Sequence, residues 1–308
     1  MYIERTNYNK VITIKLVFPI NCNAKCSFCY CKDKNYNDIS FNKKEFLSNF
    51  INTLDYLLSQ INRKQEVSLD ITGGEPTLDK TLFIQVMNKL REYHIQEKVC
   101  RVTLTSNGTN IVELAPYMSG VINYVNISVH DFRPSIRGNI FDNKIFVDID
   151  YAKIVNTLTE YKIKTSCACV VSQRCNDDWL DDFIAFCKNI GFIALRIRCN
   201  VFWSDQDEFD QWIYDIISSQ KFQVINHEKT SDSHWCRLRR SDGFRIFMLH
   251  GVLDTSILTK GIEYVIAQNG HGYCDFYMKT PIENYQYEIG KIYDYKNEVT
   301  HNAIQSNL

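Results

Sequence analysis

The sequence predicts an α/β fold, a partial (βα)6 TIM-like open barrel with a smaller C-terminal α+β extension. Three observations predict it: six short β-branched runs, helical segments between them, and the loss of this alternation beyond about residue 203. Short apolar strands that alternate with longer amphipathic segments are typical of parallel βα units. Six units are too few for a closed eight-stranded barrel, so we expect an open barrel with its site at the carboxyl ends of the strands.

The predicted strands and helices fill the first two thirds of the chain. The strands occupy residues 11–18, 67–72, 101–106, 125–130, 165–171 and 194–199. Apolar residues at spacings of three and four predict a helix that begins near Asn42, a second through residues 82–90, and a third that ends at Gly191. We therefore assign residues 1–203 to the barrel.

Residues 204–308 are predicted to form an extension that covers the open barrel. The apolar spacing over residues 209–217 predicts one more amphipathic helix. Two apolar runs, 244–249 and 252–258, predict a hairpin that turns at His250-Gly251, and a second turn is expected at Asn269-Gly270.

The composition indicates an ordinary globular protein and gives no support for a disordered, membrane or nucleic-acid-binding one. Hydrophobic residues make up 45% and charged residues 23% of the 308 residues, which is ordinary for a globular protein. A formal net charge of -1 gives no long-range attraction to nucleic acid or to an anionic membrane. Because the sequence shows neither a signal peptide nor a run of about 18 apolar residues, we expect a cytoplasmic protein without a membrane partner.

Three cysteines follow the first strand at close spacing. Cys22, Cys26 and Cys29 form a C-x3-C-x2-C triplet. The chain has 12 cysteines and no export signal, so such a triplet indicates metal binding or catalysis more than disulfides. Three thiolates suit an iron–sulfur cluster that keeps one iron open, whereas structural zinc has four protein ligands. Cys31 could complete a zinc site, although its single-residue separation from Cys29 strains a tetrahedral arrangement.

Polar residues also follow the next three strands. Residues 71–76 read Ile-Thr-Gly-Gly-Glu-Pro. Gly73 and Gly74 would let the backbone approach a ligand closely, and Glu75 could pair with an ammonium group. Pro76 would make the backbone after Glu75 rigid. Ser106 and Asn107 follow the third strand, and Ser128 and His130 end the fourth. An ordinary turn explains the serines and Asn107 as well, and His130 could equally be a buried structural histidine.

These motifs together resemble those of the radical S-adenosylmethionine (radical SAM) superfamily. The cysteine triplet, with Phe28 directly before Cys29, resembles its MoaA-like cluster-binding loop. Residues 73–76 resemble its GGEP motif and residues 105–108 its TSNG turn, and the resemblance covers about residues 11–199.

The resemblance implies one 4Fe-4S cluster, held by the three cysteines, and S-adenosylmethionine (SAM) bound to the fourth iron. Phe28 would pack beside the adenine, and backbone groups near Tyr30 would pair with its edge. An electron passed through the cluster would break the C5′–S bond homolytically, which gives methionine and a 5′-deoxyadenosyl radical that takes a hydrogen atom from the substrate. A flavodoxin or ferredoxin is implied as the electron donor.

The sequence leaves the substrate open. The aromatic residues of the extension favour a small-molecule or nucleotide-like substrate, with a peptide-modifying maturase and a non-catalytic iron or zinc binding protein as alternatives. Arg196 and Arg198 alternate with apolar residues on the sixth strand. Arg196 is therefore a candidate to contact a ligand, or it forms a salt bridge at the protein surface. Cys199, Cys236 and Cys274 lack the close spacing of a second cluster site, so we predict a single cluster.

Overall fold

A parallel sheet forms the centre of the molecule. The computed structural model describes residues 11–29, 31, 39–61, 65–200, 206–229, 233–251 and 263–273. Its first six strands pair in sequence order, each parallel to the next: β1 (Val11–Val17), β2 (Glu66–Thr72), β3 (Arg101–Ser106), β4 (Tyr124–Ser128), β5 (Lys164–Val171) and β6 (Ala194–Cys199). Among the described strands the sheet stays open, which confirms the predicted α/β partial barrel.

Helices connect these strands and end where the sequence predicts. Asn42 caps the first helix, because its side chain accepts hydrogen bonds from the N–H groups of Lys44 and Glu45 at 3.0 and 3.3 Å. Gly191, with φ 95°, ends the helix before β6. The helices are α1 (Lys43–Gln60), α2 (Lys80–Glu92), α3 (Ile95–Lys98), α4 (Ile111–Met118), α5 (Pro134–Phe141), a 3₁₀ helix (Lys144–Phe146), α6 (Tyr151–Glu160), α7 (Asp177–Ile190) and α8 (Gln206–Ser218).

The hydrophobic core lies between the helices and one face of the sheet. Phe46 and Phe50 of α1 and Phe83 of α2 are fully buried in the same cluster as Ile14 and Leu69 of the strands. Each fully buried side chain of this size stabilises the fold by roughly 1.5–3 kcal/mol. The core therefore fixes which alternate residues of each strand point towards the helices.

The opposite face of the sheet is polar. A parallel sheet covered on both sides reads as continuous apolar strands, but here polar residues alternate with buried apolar ones. Thr13 lies 3.2 Å from Ser68 across β1 and β2, and Ser166 donates a hydrogen bond to Asn126 across β5 and β4. This polar face, which includes Thr13, Ser68, Asn126, Ser166 and Arg196, suits a polar ligand or substrate.

The described strands beyond residue 204 extend the same sheet at both edges. They are β7 (Gln223–Lys229), β8 (Ser233–Arg239), β9 (Arg245–Gly251), β10 (Glu263–Ile266) and β11 (Gly272–Tyr273). β9 pairs in parallel with β6, followed by antiparallel β8 and β7, while β10 pairs in parallel with β1 and β11 lies outside it. The domain boundary near residue 204 stays a prediction.

One predicted turn is wrong and another is confirmed. His250 and Gly251 lie inside β9, because β9 pairs with β6 and β8 and the His250 ring bonds Asp210 at 2.7 Å. The hairpin joins β8 to β9 instead, and residues 252–258 lie outside the described ranges. The turn at Asn269-Gly270 is present between β10 and β11, and Gly270 has φ 79°.

Candidate active site

The three cysteines lie on the loop that leaves the carboxyl end of β1. Cys26 is 8% exposed and packs against Phe141 and Phe146, with Phe28 and Cys29 at the edge of this small cluster. The Lys25 N–H donates to the Phe141 carbonyl at 2.8 Å, and the Cys29 N–H donates to the Cys26 carbonyl at 3.2 Å. The loop is thus anchored on the end of α5.

Asn23 ties the cysteine loop to two other loops. Its side-chain oxygen accepts a hydrogen bond from Asn107 at 2.6 Å, and its carbonyl accepts one from Asn143 at 2.7 Å. Its amide donates to Thr109 at 3.3 Å. Sequence reasoning missed Asn23 and Asn143, because single asparagines in loops carry no pattern that predicts a distant partner.

Gly73 and Gly74 let the loop after β2 pack directly against the stem of the cysteine loop. A Cβ atom on Gly73 would lie 2.4 Å from the Phe18 carbonyl oxygen, and one on Gly74 would lie 2.4 Å from backbone atoms of Ile20 and Asn21. Gly73 also has φ 138°, which favours glycine. The close approach observed is between two backbone segments, and the role of both glycines in contacting a ligand stays a prediction.

Glu75 joins the ends of β2 and β3. Its Oε1 accepts hydrogen bonds from the Thr77 N–H at 3.0 Å, the Thr77 hydroxyl at 2.5 Å and the Ser106 hydroxyl at 2.8 Å. Its Oε2 accepts one from the Asn107 N–H at 2.6 Å, so Oε2 has capacity for one more donor. Burial raises the pKa of Glu75, and the four donors act in the opposite direction.

Cys22 is held beside this network. Its sulfur accepts from the Ala24 N–H at 3.3 Å and from the Asn107 amide at 3.8 Å. Burial raises the pKa of the Cys22 thiol, and the negative charges of Glu75 and Cys29 raise it further. Thiolates at these positions therefore gain from a positively charged partner that neutralises them.

The number and type of donors on the loop match the three cysteine ligands of the predicted cluster. The thiols of Cys22, Cys26 and Cys29 lie on one loop. The Cys31 thiol donates to the Gly73 carbonyl at 3.3 Å and is therefore directed towards the loop after β2. Within the described ranges, no group of three or more His, Cys, Asp or Glu side chains is placed to hold a single metal ion. Cys22, Cys26 and Cys29 would hold three irons of a 4Fe-4S cluster.

A cavity of about 840 Å³ opens beside the cysteine loop. Phe28, His130, Val170 and Trp179 are among its lining residues. The Phe28 and His130 rings lie edge to face, with centroids 4.8 Å apart. The volume lies within the range of about 300–1,000 Å³ for small-ligand sites, which suits a nucleoside.

The comparison with known families identifies the superfamily. A sequence profile described as the radical SAM superfamily matches residues 16–191, more than half of the chain. The chain belongs to the radical SAM superfamily. The matched segment contains the cysteine loop, the Gly73-Gly74-Glu75 segment and the cavity wall around His130.

Two relatives and one solved structure extend this comparison. A cysteine-type anaerobic sulfatase-maturating enzyme of Clostridium novyi is 26% identical, over 94% of this chain and 80% of its own. An uncharacterized protein of Methanocaldococcus jannaschii is 23% identical, over 72% of this chain and 76% of its own. SuiB of Streptococcus suis, solved with SAM bound, has a TM-score of 0.51 at 14% identity.

The SuiB comparison shows the fold alone. It covers 85% of this chain and 60% of the SuiB chain, so this radical SAM protein spans about three fifths of that structure. No helix in the described ranges is long and apolar enough to cross a membrane.

The other predicted residues lie as follows in the radical SAM fold. Pro76 is buried directly after Glu75, and Ser128 ends β4 on the polar face. Arg196 lies on the same face and stacks over the Phe247 ring of β9 at 4.9 Å, and its contact with a ligand stays a prediction. Tyr30 and Cys274 lie outside the described residues.

Cys199 and Cys236 belong to the hydrophobic core. They are 6% and 1% exposed, and burial raises the pKa of each thiol to about 12. At these positions a protonated thiol packs as a small apolar group. Whether a second cluster exists stays a prediction.

A buried arginine supports the segment beneath the cysteine loop. Arg137 is 3% exposed, and its guanidinium donates to the Phe146 carbonyl at 2.7 Å and the Val147 carbonyl at 3.1 Å. It also donates to the Asp131 and Phe132 carbonyls at 3.3 Å. These bonds join both ends of the segment whose Phe141 carbonyl anchors Lys25. Sequence reasoning missed Arg137, since it belongs to no recognised motif.

Replacing His130 with Gln is expected to weaken the acid dependence of stability. Burial lowers the pKa of His130 from 6.5 to about 3, and Nδ1 of its neutral ring accepts a hydrogen bond from the Val170 N–H at 3.1 Å. Between these pH values the unfolded chain binds a proton that the folded chain does not, so acidification lowers the free energy of unfolding. For this histidine the loss between pH 7 and pH 5 is roughly 2 kcal/mol.

Urea unfolding of the apoprotein at pH 5, 6 and 7 measures this effect. The His130→Gln variant should lose less stability than wild type over that interval, while His94→Gln, which changes an exposed histidine, should follow wild type. Equal losses in wild type and His130→Gln would contradict the assignment of His130 as a buried neutral ring.

Proposed function

We propose that this protein cleaves SAM reductively at one 4Fe-4S cluster held by Cys22, Cys26 and Cys29, and uses the resulting radical on a substrate at the polar face. The observation that carries the proposal is the placement of three thiols on one loop whose stem packs against Gly73 and Gly74 and whose Phe28 lines a cavity of nucleoside size. Cluster and SAM together supply a 5′-deoxyadenosyl radical when bound.

The residues of this chain would bind and orient the nucleoside. The Phe28 and His130 rings form an aromatic wall that would pack beside the adenine ring. The remaining acceptor capacity of Glu75 Oε2 would suit the ammonium group of SAM. Ser128, at the end of β4 on the polar face, would meet a ribose hydroxyl. The packed loops around Asn23 and Asn107 hold these groups in position before the ligand arrives.

The substrate class is the finer part of the proposal. The sequence by itself favours a small-molecule or nucleotide-like substrate. The sulfatase-maturating relative matches 94% of this chain, including most of the extension, and the name of that relative describes an enzyme that acts on a protein. We therefore favour the second candidate, a peptide substrate, with a flavodoxin or ferredoxin as electron donor.

Anaerobic reconstitution with iron and sulfide, followed by dithionite and SAM, tests the proposal. Wild type should hold about four irons per chain and release 5′-deoxyadenosine. Cys26→Ala should lose the cluster absorbance and the product, whereas Cys100→Ala, which changes an exposed cysteine outside the loop, should retain both.

The same samples separate the enzyme from a non-catalytic metal protein. A wild type that holds a full cluster and gives no 5′-deoxyadenosine under dithionite would overturn the proposal in favour of an iron or zinc binding protein. Iron retained by Cys26→Ala at the wild-type level would overturn the ligand assignment.

A further inference from the structure

A row of basic side chains crosses three strands of the extension and meets one carboxylate of α8. His234 of β8 lies opposite Lys229 of β7 and His250 of β9 in the antiparallel registers. The Lys229 ammonium lies 2.9 Å from Oδ2 of Asp210, and Nδ1 of His250 lies 2.7 Å from its Oδ1. Nδ1 of His234 lies 3.0 Å from the same Oδ1, off the direction of a hydrogen bond. Asp210 therefore holds side chains of three strands against α8.

His227 of β7 continues this row to the protein surface. His227 is exposed, whereas His234 is fully buried, and their Nε2 atoms lie 2.8 Å apart. The Tyr214 ring of α8 packs against both, with centroids at 5.7 and 4.8 Å. Two imidazole nitrogens form a hydrogen bond only if one carries a proton and the other does not. We name His227 and His234 the histidine pair.

The histidine pair can take up one proton and keep this contact, but it cannot take up two. When one ring is charged, its Nε2–H donates to the unprotonated Nε2 of the other ring. When both rings are charged, two N–H groups and two positive charges oppose each other across the 2.8 Å contact. The second proton therefore separates the two rings.

The charges around the pair do not offset a second proton. Burial raises the pKa of Asp210, but the bonds from His250 and Lys229 bring it below its usual value, so the carboxylate stays charged in acid. In the described part of the chain, Asp210 is the carboxylate in contact with the pair, and Lys229 balances its charge. The other titratable groups near the row are His250, Tyr214, the exposed Asp207, and the thiols of Cys199 and Cys236.

Acid favours the separated pair. Burial lowers the pKa of His234, the Asp210 carboxylate raises it, and the lowering by burial prevails. Once the pair has opened, water reaches His234 and its pKa returns to about 6.5. Below that pH the open form binds a proton that the closed form excludes, so the open fraction rises as the pH falls.

Helix α8 connects the histidine pair to the wall of the cavity. Asp215 of α8 pairs with Arg174 at 2.6 Å, and the Trp212 ring packs against Trp179 with centroids 6.4 Å apart. Arg174 and Trp179 both line the cavity. We propose that the histidine pair is a pH-sensitive switch, which holds β7 and β8 against α8 at neutral pH and, when it opens in acid, loosens the cavity wall that α8 supports.

Hydrogen–deuterium exchange of the cluster-free full chain at pH 7.5 and pH 5.0 tests the switch, with each rate divided by the intrinsic rate at that pH. A His234 side chain that is protonated only in the open form, at a pKa of about 6.5, increases the open fraction roughly 30-fold over this interval. Amide protection in β7 should fall by about that factor, and protection in α8 and in residues 172–179 should fall with it. Neither cluster nor SAM is required, so the outcome is independent of the proposed function.

Glutamine variants assign the effect to the pair. His234→Gln lacks the titrating ring, so protection in β7 should change severalfold less with pH than in wild type. His227→Gln presents an amide oxygen that can accept from a charged His234, so its loss of protection should also be smaller. His94→Gln changes an exposed histidine outside the extension and should follow wild type. Any loss of global stability through His130 affects all these proteins alike.

Two results would overturn the switch: unchanged protection of β7 in wild type between the two pH values, or an equal fall in wild type and both glutamine variants of the pair. A fall in β7 with no change in α8 and residues 172–179 would overturn the connection to the cavity.

Discussion

The Gly74→Ala variant is expected to fail to hold the iron–sulfur cluster. The new Cβ atom would lie 2.4 Å from backbone atoms of Ile20 and Asn21, which cannot move without shifting the stem of the cysteine loop. The hydrogen bonds from Gly74 N–H to the Pro19 carbonyl at 3.3 Å and from Glu75 N–H to the Asn21 carbonyl at 2.8 Å would break with that shift. Iron and sulfide content after reconstitution should fall severalfold.

Gly120→Ala is the matched control for this glycine. Gly120 has φ 73° and open space around its Cβ position, so alanine there costs about 1–2 kcal/mol of backbone strain and touches no part of the site. Its cluster content should equal that of wild type. Equal cluster content in Gly74→Ala would show that the two loops separate without loss of the metal site.

The Glu75→Ala variant is expected to lose at least about 3 kcal/mol of stability, because four buried donors lose their acceptor and each orphaned group costs roughly 1–3 kcal/mol. Glu75→Gln should lie between wild type and alanine, since an amide presents one acceptor oxygen and its NH₂ group would oppose a donor. The midpoint of urea unfolding of the apoprotein measures both.

Glu113→Ala is the control for the loss of a carboxylate. The Glu113 side chain is 63% exposed and pairs with Lys80 at 2.5 Å, and exposed ion pairs contribute about 0–1 kcal/mol. A Glu75→Ala midpoint close to that of Glu113→Ala would contradict the assignment of Glu75 as the joint between β2 and β3.

The strands and helix ends were predicted correctly from the sequence where the local residue pattern matches the secondary structure of the fold. The six strands of the barrel, the cap at Asn42 and the helix end at Gly191 each follow from apolar period or from a residue with one conformational role. The motifs after β1, β2 and β3 lie together because carboxyl ends of adjacent parallel strands meet at one edge of the sheet.

The same reasoning failed for β8 and for the turn at His250-Gly251. Half-buried Trp235, Arg237 and Arg239 occupy alternate positions of β8, so its sequence lacks the apolar pattern that predicts a strand. The packing of Cys236 and Leu238 in the core is visible only in the structure. The supports of the cysteine loop were also missed, because the partners of Asn23 lie 84 and 120 residues away in sequence.

The sequence by itself determined the superfamily, the parallel core and the candidate cluster ligands, because those depend on local spacing and on the order of the strands. Only the tertiary structure showed that Gly73 and Gly74 pack against backbone and that Glu75 joins two strand ends. These features depend on which distant residues the sheet brings into contact, and a linear pattern does not contain that information.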